Sequence, residues 1–138
     1  MVVLAELAIH LYQQKGISLK NHMDCLYDKY GYFCSQNGYY KVVDANKAKG
    51  LCDRLQAKLT VDDQQIRSIS NNKLLKIHLH NGCCIQLRPS GTEPKFKYYL
   101  EMQGKPGQAR ESLRKELEQC EKILLDEILE PAENGLTR

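Results

Sequence analysis

Between residues 75 and 103 the chain alternates apolar and polar residues in three runs that are separated by turn-forming residues. A period of two puts the apolar members on one face of a sheet and the polar members on the other. The apolar members are Leu75, Ile77 and Leu79, then Cys83, Ile85 and Leu87, and finally Phe96, Tyr98, Leu100 and Met102. The sequence therefore predicts an antiparallel sheet with one face covered and one face open.

The turn after the first run decides how the first two strands pair. A two-residue turn at Asn81-Gly82 would set Ile77 opposite Gln86 and mix apolar and polar side chains on each face. A three-residue loop over 80–82, with Gly82 in the left-handed region, avoids this mixing and is predicted for that reason. Its register gives the pairs Leu75–Leu87, Ile77–Ile85 and Leu79–Cys83.

Helical spacing of apolar residues appears in the first part of the chain. A helix over 2–14 is apolar on nearly every side, so it is expected to be buried against a larger body, its own domain or a second copy. A second helix is capped by Ser18 and stopped by Gly31. A third begins after the capping residue Asp44, and its expected buried residues are Ala48, Leu51, Cys52 and Leu55.

The remaining segments complete the predicted fold. An aromatic extended segment covers 32–43 and is expected to be interrupted at Asn37-Gly38, and a short strand is suggested near 66–69 within the poorly assigned stretch 57–73. A last helix over about 108–130 has Leu113, Leu117, Cys120, Leu124 and Ile128 on its apolar side. Together these elements predict an α+β fold: an antiparallel four-stranded sheet with helices on one face.

Charge and cysteine content exclude several classes of protein. Residues 73–105 carry six Lys or Arg and two Glu, whereas residues 106–138 carry five Lys or Arg and eight Asp or Glu. The net charge of +3 is too small to favour bulk nucleic-acid binding. The six cysteines show no CxxC spacing, which favours reduced thiols and a cytoplasmic location. The apolar run near 2–12 is too short to span a membrane.

The loop that joins the last two runs has the composition of a phosphate-binding site. Residues 88–95 read Arg-Pro-Ser-Gly-Thr-Glu-Pro-Lys. Arg88 offers a charged, forked donor for a tetrahedral oxyanion, Ser90 and Thr92 offer hydroxyls, and Gly91 allows backbone N–H groups to approach an anion. The alternative is a rigid connector, because Ser, Gly and Thr are also common in turns.

This octapeptide, with the following Lys97-Tyr98-Tyr99 and the preceding hairpin, resembles the phosphate-binding loop of the α-D-phosphohexomutases, the phosphoglucomutase/phosphomannomutase superfamily. The likeness is to the phosphoglucomutase-2-type branch, which includes phosphopentomutases and glucose-1,6-bisphosphate synthases. It implies that residues 1–30 are the closing helices of a third domain and that 32–130 form a C-terminal domain like the TATA-binding protein. Residues 131–138 are expected to be a frayed tail.

The resemblance also implies a role in catalysis by a larger enzyme. In such enzymes a phosphoserine and Mg²⁺ in other domains transfer a phosphoryl group to a sugar phosphate, and the last domain holds the phosphate that does not react. Carried over to this chain, the residues that would bind that phosphate of a sugar phosphate or bisphosphate are Arg88, Ser90, Gly91, Thr92 and Lys95. The family's serine, magnesium and sugar loops have no counterpart in the sequence. No catalytic residue, metal ligand or cofactor is therefore expected in this chain, which alone should be inactive as a mutase.

Two alternatives come from the residues alone, beside a noncatalytic module for phosphate ligands. His78 and His80 lie across the turn from Cys83 and Cys84, which suggests a metal site, but no fourth ligand is evident. The aromatic residues Tyr30, Tyr32, Phe33, Tyr39 and Tyr40, with Lys29 and Lys41 nearby, suggest an RNA-stacking sheet. Their spacing does not match an RNA-recognition motif, so nucleic acid is not expected as a partner. A membrane is not expected either, because the apolar run near 2–12 is too short.

Overall fold

In the computed structural model the described residues are 2–59, 65–72 and 74–138. The helices are α1 (Val2–Lys15), α2 (Leu19–Tyr30), α3 (Ala45–Ala48), α4 (Leu51–Lys58) and α5 (Arg110–Ile123), which continues as a π-helix (Leu124–Leu129). The strands are β1 (Phe33–Val42), β2 (Ile66–Asn71), β3 (Leu75–Leu79), β4 (Cys84–Pro89), β5 (Lys95–Gln103) and β6 (Leu136–Thr137).

The strands form one antiparallel sheet in the order β2-β3-β4-β5-β1-β6. The predicted α+β class and antiparallel sheet are confirmed, but the predicted number of four strands is wrong, because the described sheet has six. The apolar alternation is buried: Leu75, Ile77, Ile85, Leu87 and Leu100 are each 0% exposed. Residues of α4 and α5 join the same core cluster, so these helices cover one face and leave the other open.

The register of the β3–β4 hairpin is as predicted. Leu75 pairs with Leu87 and Ile77 pairs with Ile85. The amide of Leu79 donates to the carbonyl of Cys83 over 2.9 Å, and Gly82 has a φ of 90°. The three-residue loop is therefore confirmed, and its left-handed glycine keeps the apolar side chains on one face.

β1 runs without a break through Asn37-Gly38, so the predicted interruption is wrong. Gly38 has an ordinary strand conformation and lies opposite Tyr98, which is 6% exposed. A Cβ at Gly38 would lie 2.7 Å from Cε1 of Tyr98. The glycine makes room for this ring, whose hydroxyl donates to Glu121 over 2.8 Å. Burial and then this hydrogen bond raise the pKa of Tyr98.

The predicted helix boundaries are confirmed in part. The Ser18 hydroxyl accepts from the amide of Asn21, and Gly31 ends α2 with a φ of 82°. Asp44 accepts from the amides of Asn46 and Lys47, so it is a cap as expected. The single helix expected after Asp44 is instead split into α3 and α4, because Gly50 adopts a left-handed conformation with a φ of 67°.

The C-terminal end differs from the prediction of a frayed tail. Leu136 pairs with Val42 and is 4% exposed. The amide of Val43 donates to the carbonyl of Gly135 over 3.0 Å, which fixes the tail to the end of β1. The strand near residues 66–69 is confirmed as β2, whereas the earlier residues 60–64 of that stretch lie outside the described residues.

α1 packs little against the rest of the described chain. Leu11 is its buried residue, whereas Val2, Val3, Leu4 and Ile9 are each more than half exposed. The assignment of residues 1–30 to a separate domain stays a prediction. The helices that the structure describes include none with the length and apolar character needed to cross a bilayer.

We expect Gly38→Ala to destabilise the chain by about 1–3 kcal/mol, because the new methyl group overpacks the core against Tyr98. Urea denaturation followed by circular dichroism measures this change. Gly91→Ala is a matched control, since a Cβ there has no neighbour within 4 Å. Equal stabilities for the two variants would contradict the role given to Gly38.

Candidate phosphate-binding site

Of the predicted phosphate-binding segment, residues 88–95, the first two residues end β4 and Lys95 begins β5, so the connecting loop is 90–94. The amide of Ser90 donates to the carbonyl of Lys95 over 2.7 Å, which closes the loop at its base. The carbonyl of Pro94 accepts from the amide of Val42 over 2.8 Å, which ties the loop to β1. The loop is thus held by two strands, and its ends are fixed by the sheet.

The backbone amides of the loop form two groups, one bonded inside the protein and the other exposed to solvent. The amide of Ser90 is taken up inside the protein, so the backbone of that residue is not available to an anion. Gly91, Thr92 and Glu93 are exposed, and within the described ranges their amides donate to no backbone carbonyl. These three consecutive amides are the ones that a ligand is able to reach.

Gly91 is not required by the fold. Its φ lies outside the left-handed region, and an added Cβ would meet no atom within 4 Å. A turn that needs glycine does so because of a positive φ or a close neighbour. Neither applies at Gly91, so the glycine leaves open space above the loop backbone without any benefit to packing.

Arg88 points outward on the open face of the sheet. Its Nη2 donates to the hydroxyl oxygen of Tyr99 over 3.2 Å, and its Cζ lies 5.7 Å from the centroid of that ring. The guanidinium therefore lies beside the loop, on a surface that solvent and ligands reach. This is the position that a role in anion binding requires.

Lys95 also lies on the open face, but it is engaged. Its Nζ is 2.9 Å from Oε1 of Glu93 and 4.4 Å from the ring centroid of Tyr39. The hydrogen bond to Lys95 lowers the pKa of Glu93, and the same bond raises the pKa of Lys95. An anion would have to compete with the Glu93 carboxylate for this ammonium group.

Two further cations, Lys97 and Lys41, share this face and were not among the predicted site residues. Lys97 is the cross-strand partner of Arg88, and Lys41 is the partner of Lys95. Lys97 is two residues from Lys95 on the same strand, so the period of two was a signal that could have found it. Lys41 depends on the distant β1–β5 register, which sequence reasoning did not fix.

These pairs concentrate positive charge around the loop. Like charges directly opposite each other in a sheet are destabilising, and here two such pairs lie side by side. Glu93 offsets part of this repulsion, with its second oxygen 3.9 Å from Nζ of Lys97. The remaining excess of positive charge is suited to a multiply charged anion.

The structure does not bring together the other predicted sets. His78 pairs with Cys84, whereas the amide of His80 donates to the carbonyl of Gln65. Among the described residues, no group of three or more His, Cys, Asp or Glu is placed to hold a metal ion. The aromatic set is divided as well: Phe33 and Tyr39 are exposed, but Tyr40 is 6% exposed and belongs to the core. The five aromatic residues therefore do not share one exposed surface.

Comparison with known proteins identifies relatives. The chain is 32% identical over 164 aligned positions to the human glucose 1,6-bisphosphate synthase, and the alignment covers 98% of this chain and 26% of that protein. It is 27% identical to the human phosphopentomutase, covering 98% of this chain and 27% of that protein. The chain is homologous to the C-terminal portion of the α-D-phosphohexomutases.

The solved structures agree in fold. The open form of parafusin, a phosphoglucomutase from Paramecium, matches with a TM-score of 0.71 over 96% of this chain and 27% of that one, at 21% identity. No protein-family model matches the chain. The chain spans about a quarter of the length of the curated relatives named above (26% and 27%). The resemblance to this superfamily and branch is confirmed, while the roles of the loop residues stay a prediction.

We expect Glu93→Gln to strengthen the binding of an anion at the loop by about twofold to fivefold, because the carboxylate no longer competes for Lys95 and no longer repels the ligand. An NMR titration with glucose 6-phosphate measures this change. Weaker binding by the variant would show that the carboxylate supports the loop more than it opposes the anion. Glu101→Gln is a matched control: Glu101 lies on β5, on the same open face as Lys95 but farther from the loop, so its loss should change binding less.

Proposed function

We propose that this chain binds the phosphate group of a sugar phosphate through Arg88 and the loop over residues 90–94. In this proposal the guanidinium of Arg88 and the amides of Gly91 and Thr92 are the principal donors, with the hydroxyls of Ser90 and Thr92 beside them. A dianion needs several donors that are already in place, because each donor that must be ordered on binding reduces the affinity. A loop fixed at its base between strands meets this requirement.

The observation that carries the proposal is that the loop leaves most of its donors unused: the Ser90 amide is bonded, but in the described chain the next three amides donate to no backbone carbonyl. Within the described part of the chain, neither the hydroxyl of Ser90 nor that of Thr92 makes a hydrogen bond to the loop backbone. A loop that served only to connect two strands would be expected to use such hydroxyls to stabilise its turn. Free donors next to an excess of positive charge favour anion binding instead.

We further propose that the chain acts as the last domain of a phosphohexomutase. The homology is to glucose 1,6-bisphosphate synthases and phosphopentomutases, whose names describe the formation and rearrangement of sugar phosphates. Holding the phosphate that does not react would align the other end of the sugar for phosphoryl transfer. A phosphoserine and Mg²⁺ would be supplied from outside this chain, since the sequence has no counterpart of the family's serine and magnesium loops and the described residues form no cluster of metal ligands.

The test is an amide NMR titration of the isotope-labelled chain with glucose 6-phosphate, with glucose as the unphosphorylated control. We expect the amides of Gly91 and Thr92 to shift with glucose 6-phosphate and not with glucose. Arg88→Ala should weaken binding by about tenfold or more, because a charge-assisted hydrogen bond contributes about 1.5–3 kcal/mol. Gly91→Ala should not destabilise the chain but should weaken binding, since its methyl group would occupy the approach to the amides.

Unchanged binding in Arg88→Ala would overturn this assignment and leave the loop as a connector. The dependence on salt distinguishes the remaining alternative ligands. One sugar phosphate should give a shallow slope, whereas RNA would give a steep one and would shift residues across the whole open face.

The isolated chain should not convert glucose 1-phosphate to glucose 6-phosphate, because it has no counterpart of the serine and magnesium loops that transfer the phosphoryl group. A coupled assay for glucose 6-phosphate measures this activity. Conversion that is proportional to chain concentration would contradict the expectation. It would also favour a complete enzyme over a domain or a noncatalytic binding module.

A further inference from the structure

The two cations predicted to bind the phosphate, Lys95 and Arg88, are each held by a specific neighbour. Lys95 is bound by Glu93 and lies over the ring of Tyr39. Arg88 has no carboxylate partner among the ion pairs of the described residues, and it is held by Tyr99 alone. Tyr99 makes two contacts with it: the hydroxyl accepts from Nη2 at 3.2 Å, and the ring centroid lies 5.7 Å from Cζ.

Electrostatic repulsion and side-chain entropy both disfavour a fixed position for the exposed Arg88 guanidinium. Its cross-strand partner is Lys97, so like charges face each other across the β4–β5 pair. A free arginine side chain also has rotamer entropy, which is lost when the guanidinium is fixed by a ligand. A neighbour that fixes the guanidinium beforehand would reduce the cost of binding.

Tyr99 is itself well placed to act as such a neighbour. It lies in the middle of β5, between Gln86 of β4 and Asn37 of β1, and is half-buried on the open face. A backbone paired on both sides does not move easily, so the ring and hydroxyl define a fixed point. The hydrogen bond from Arg88 lowers the pKa of Tyr99, which agrees with a guanidinium held at the hydroxyl oxygen.

We infer that Tyr99 is a positioning residue: its hydroxyl and ring hold the Arg88 guanidinium beside the loop, ready to bind the phosphate. The inference rests on the proposed function of Arg88. Tyr99 acts through Arg88 and need not touch the ligand. Tyr39 provides a comparison on the same face, because its ring lies under Lys95 but its hydroxyl makes no hydrogen bond among the residues described.

The first experiment measures the ligand-free chain. The motion of the Arg88 side chain is followed by NMR relaxation of its Nε–H group. We expect Tyr99→Phe to increase this motion, because the hydrogen bond is lost while the ring remains. Tyr39→Phe, the matched control, should leave it unchanged. Equal mobility of Arg88 in Tyr99→Phe and in the native chain would overturn the inference, whatever the chain binds.

The second experiment is a double-mutant cycle with glucose 6-phosphate as the ligand. We expect Tyr99→Phe to weaken binding by about threefold to tenfold, on the scale of one hydrogen bond, and Tyr39→Phe to leave it unchanged. In an Arg88→Ala background, Tyr99→Phe should have no further effect, because a positioning residue has nothing left to position. Circular dichroism and thermal unfolding check that each variant is folded.

The outcomes separate the two proposals. If Arg88→Ala binds as well as the native chain, the proposed function fails, whereas the mobility measurement still decides the inference. If Arg88→Ala weakens binding and Tyr99→Phe does not, the inference fails and the function stands. If Tyr99→Phe weakens binding equally in both backgrounds, Tyr99 contacts the ligand or supports the fold directly, and the positioning role is excluded.

Discussion

The antiparallel pairing of β4 with β5 is the constraint on which the site depends. Its register sets Leu87 opposite Tyr98 in the core and Arg88 opposite Lys97 on the open face. Because the loop over 90–94 connects these two strands, the same hydrogen bonds fix both of its ends. A shift of one residue would exchange the faces and bury Arg88, so the apolar core selects the arrangement that exposes the cations. The chemistry of the open face is therefore a consequence of packing on the other.

Electrostatic repulsion between cations on the open face destabilises the sheet, and the packing of the core does not account for their placement. Arg88 and Lys97 oppose each other, and Lys41 and Lys95 do so in the adjacent row. Among the described residues, Glu93 is the carboxylate that contacts two of these cations, Lys95 and Lys97, and it belongs to the loop itself. Its negative charge lowers the repulsion between them. In the proposed function an anion would have to displace this carboxylate, which would limit the affinity and would favour a ligand with more than one negative charge.

Sequence reasoning succeeded where the signal was local. The alternation over 75–103 predicted the buried faces of β3, β4 and β5, and the choice between two loop lengths predicted the register of the β3–β4 hairpin. It failed where contacts between distant residues decide the outcome. The pairing of β1 with β5, which brings Lys41 to the site, and the pairing of Leu136 with Val42 are set by tertiary packing. Of the predicted site residues, Lys95 proved to be tied to Glu93, which no periodicity reveals.

Two glycines show why composition alone could not distinguish a binding loop from a turn. The sequence predicts that Gly38 interrupts a strand, yet the glycine is needed within the strand because the ring of Tyr98 occupies the space of its Cβ. It predicts that Gly91 permits an anion to approach, and the described residues place no atom within 4 Å of a Cβ there. A glycine that neither a positive φ nor a neighbouring atom requires gives the fold no advantage, and it carries the entropic cost of a flexible residue. The proposed function would account for Gly91, because an anion bound at the amides beside Arg88 would approach the backbone where a Cβ would stand.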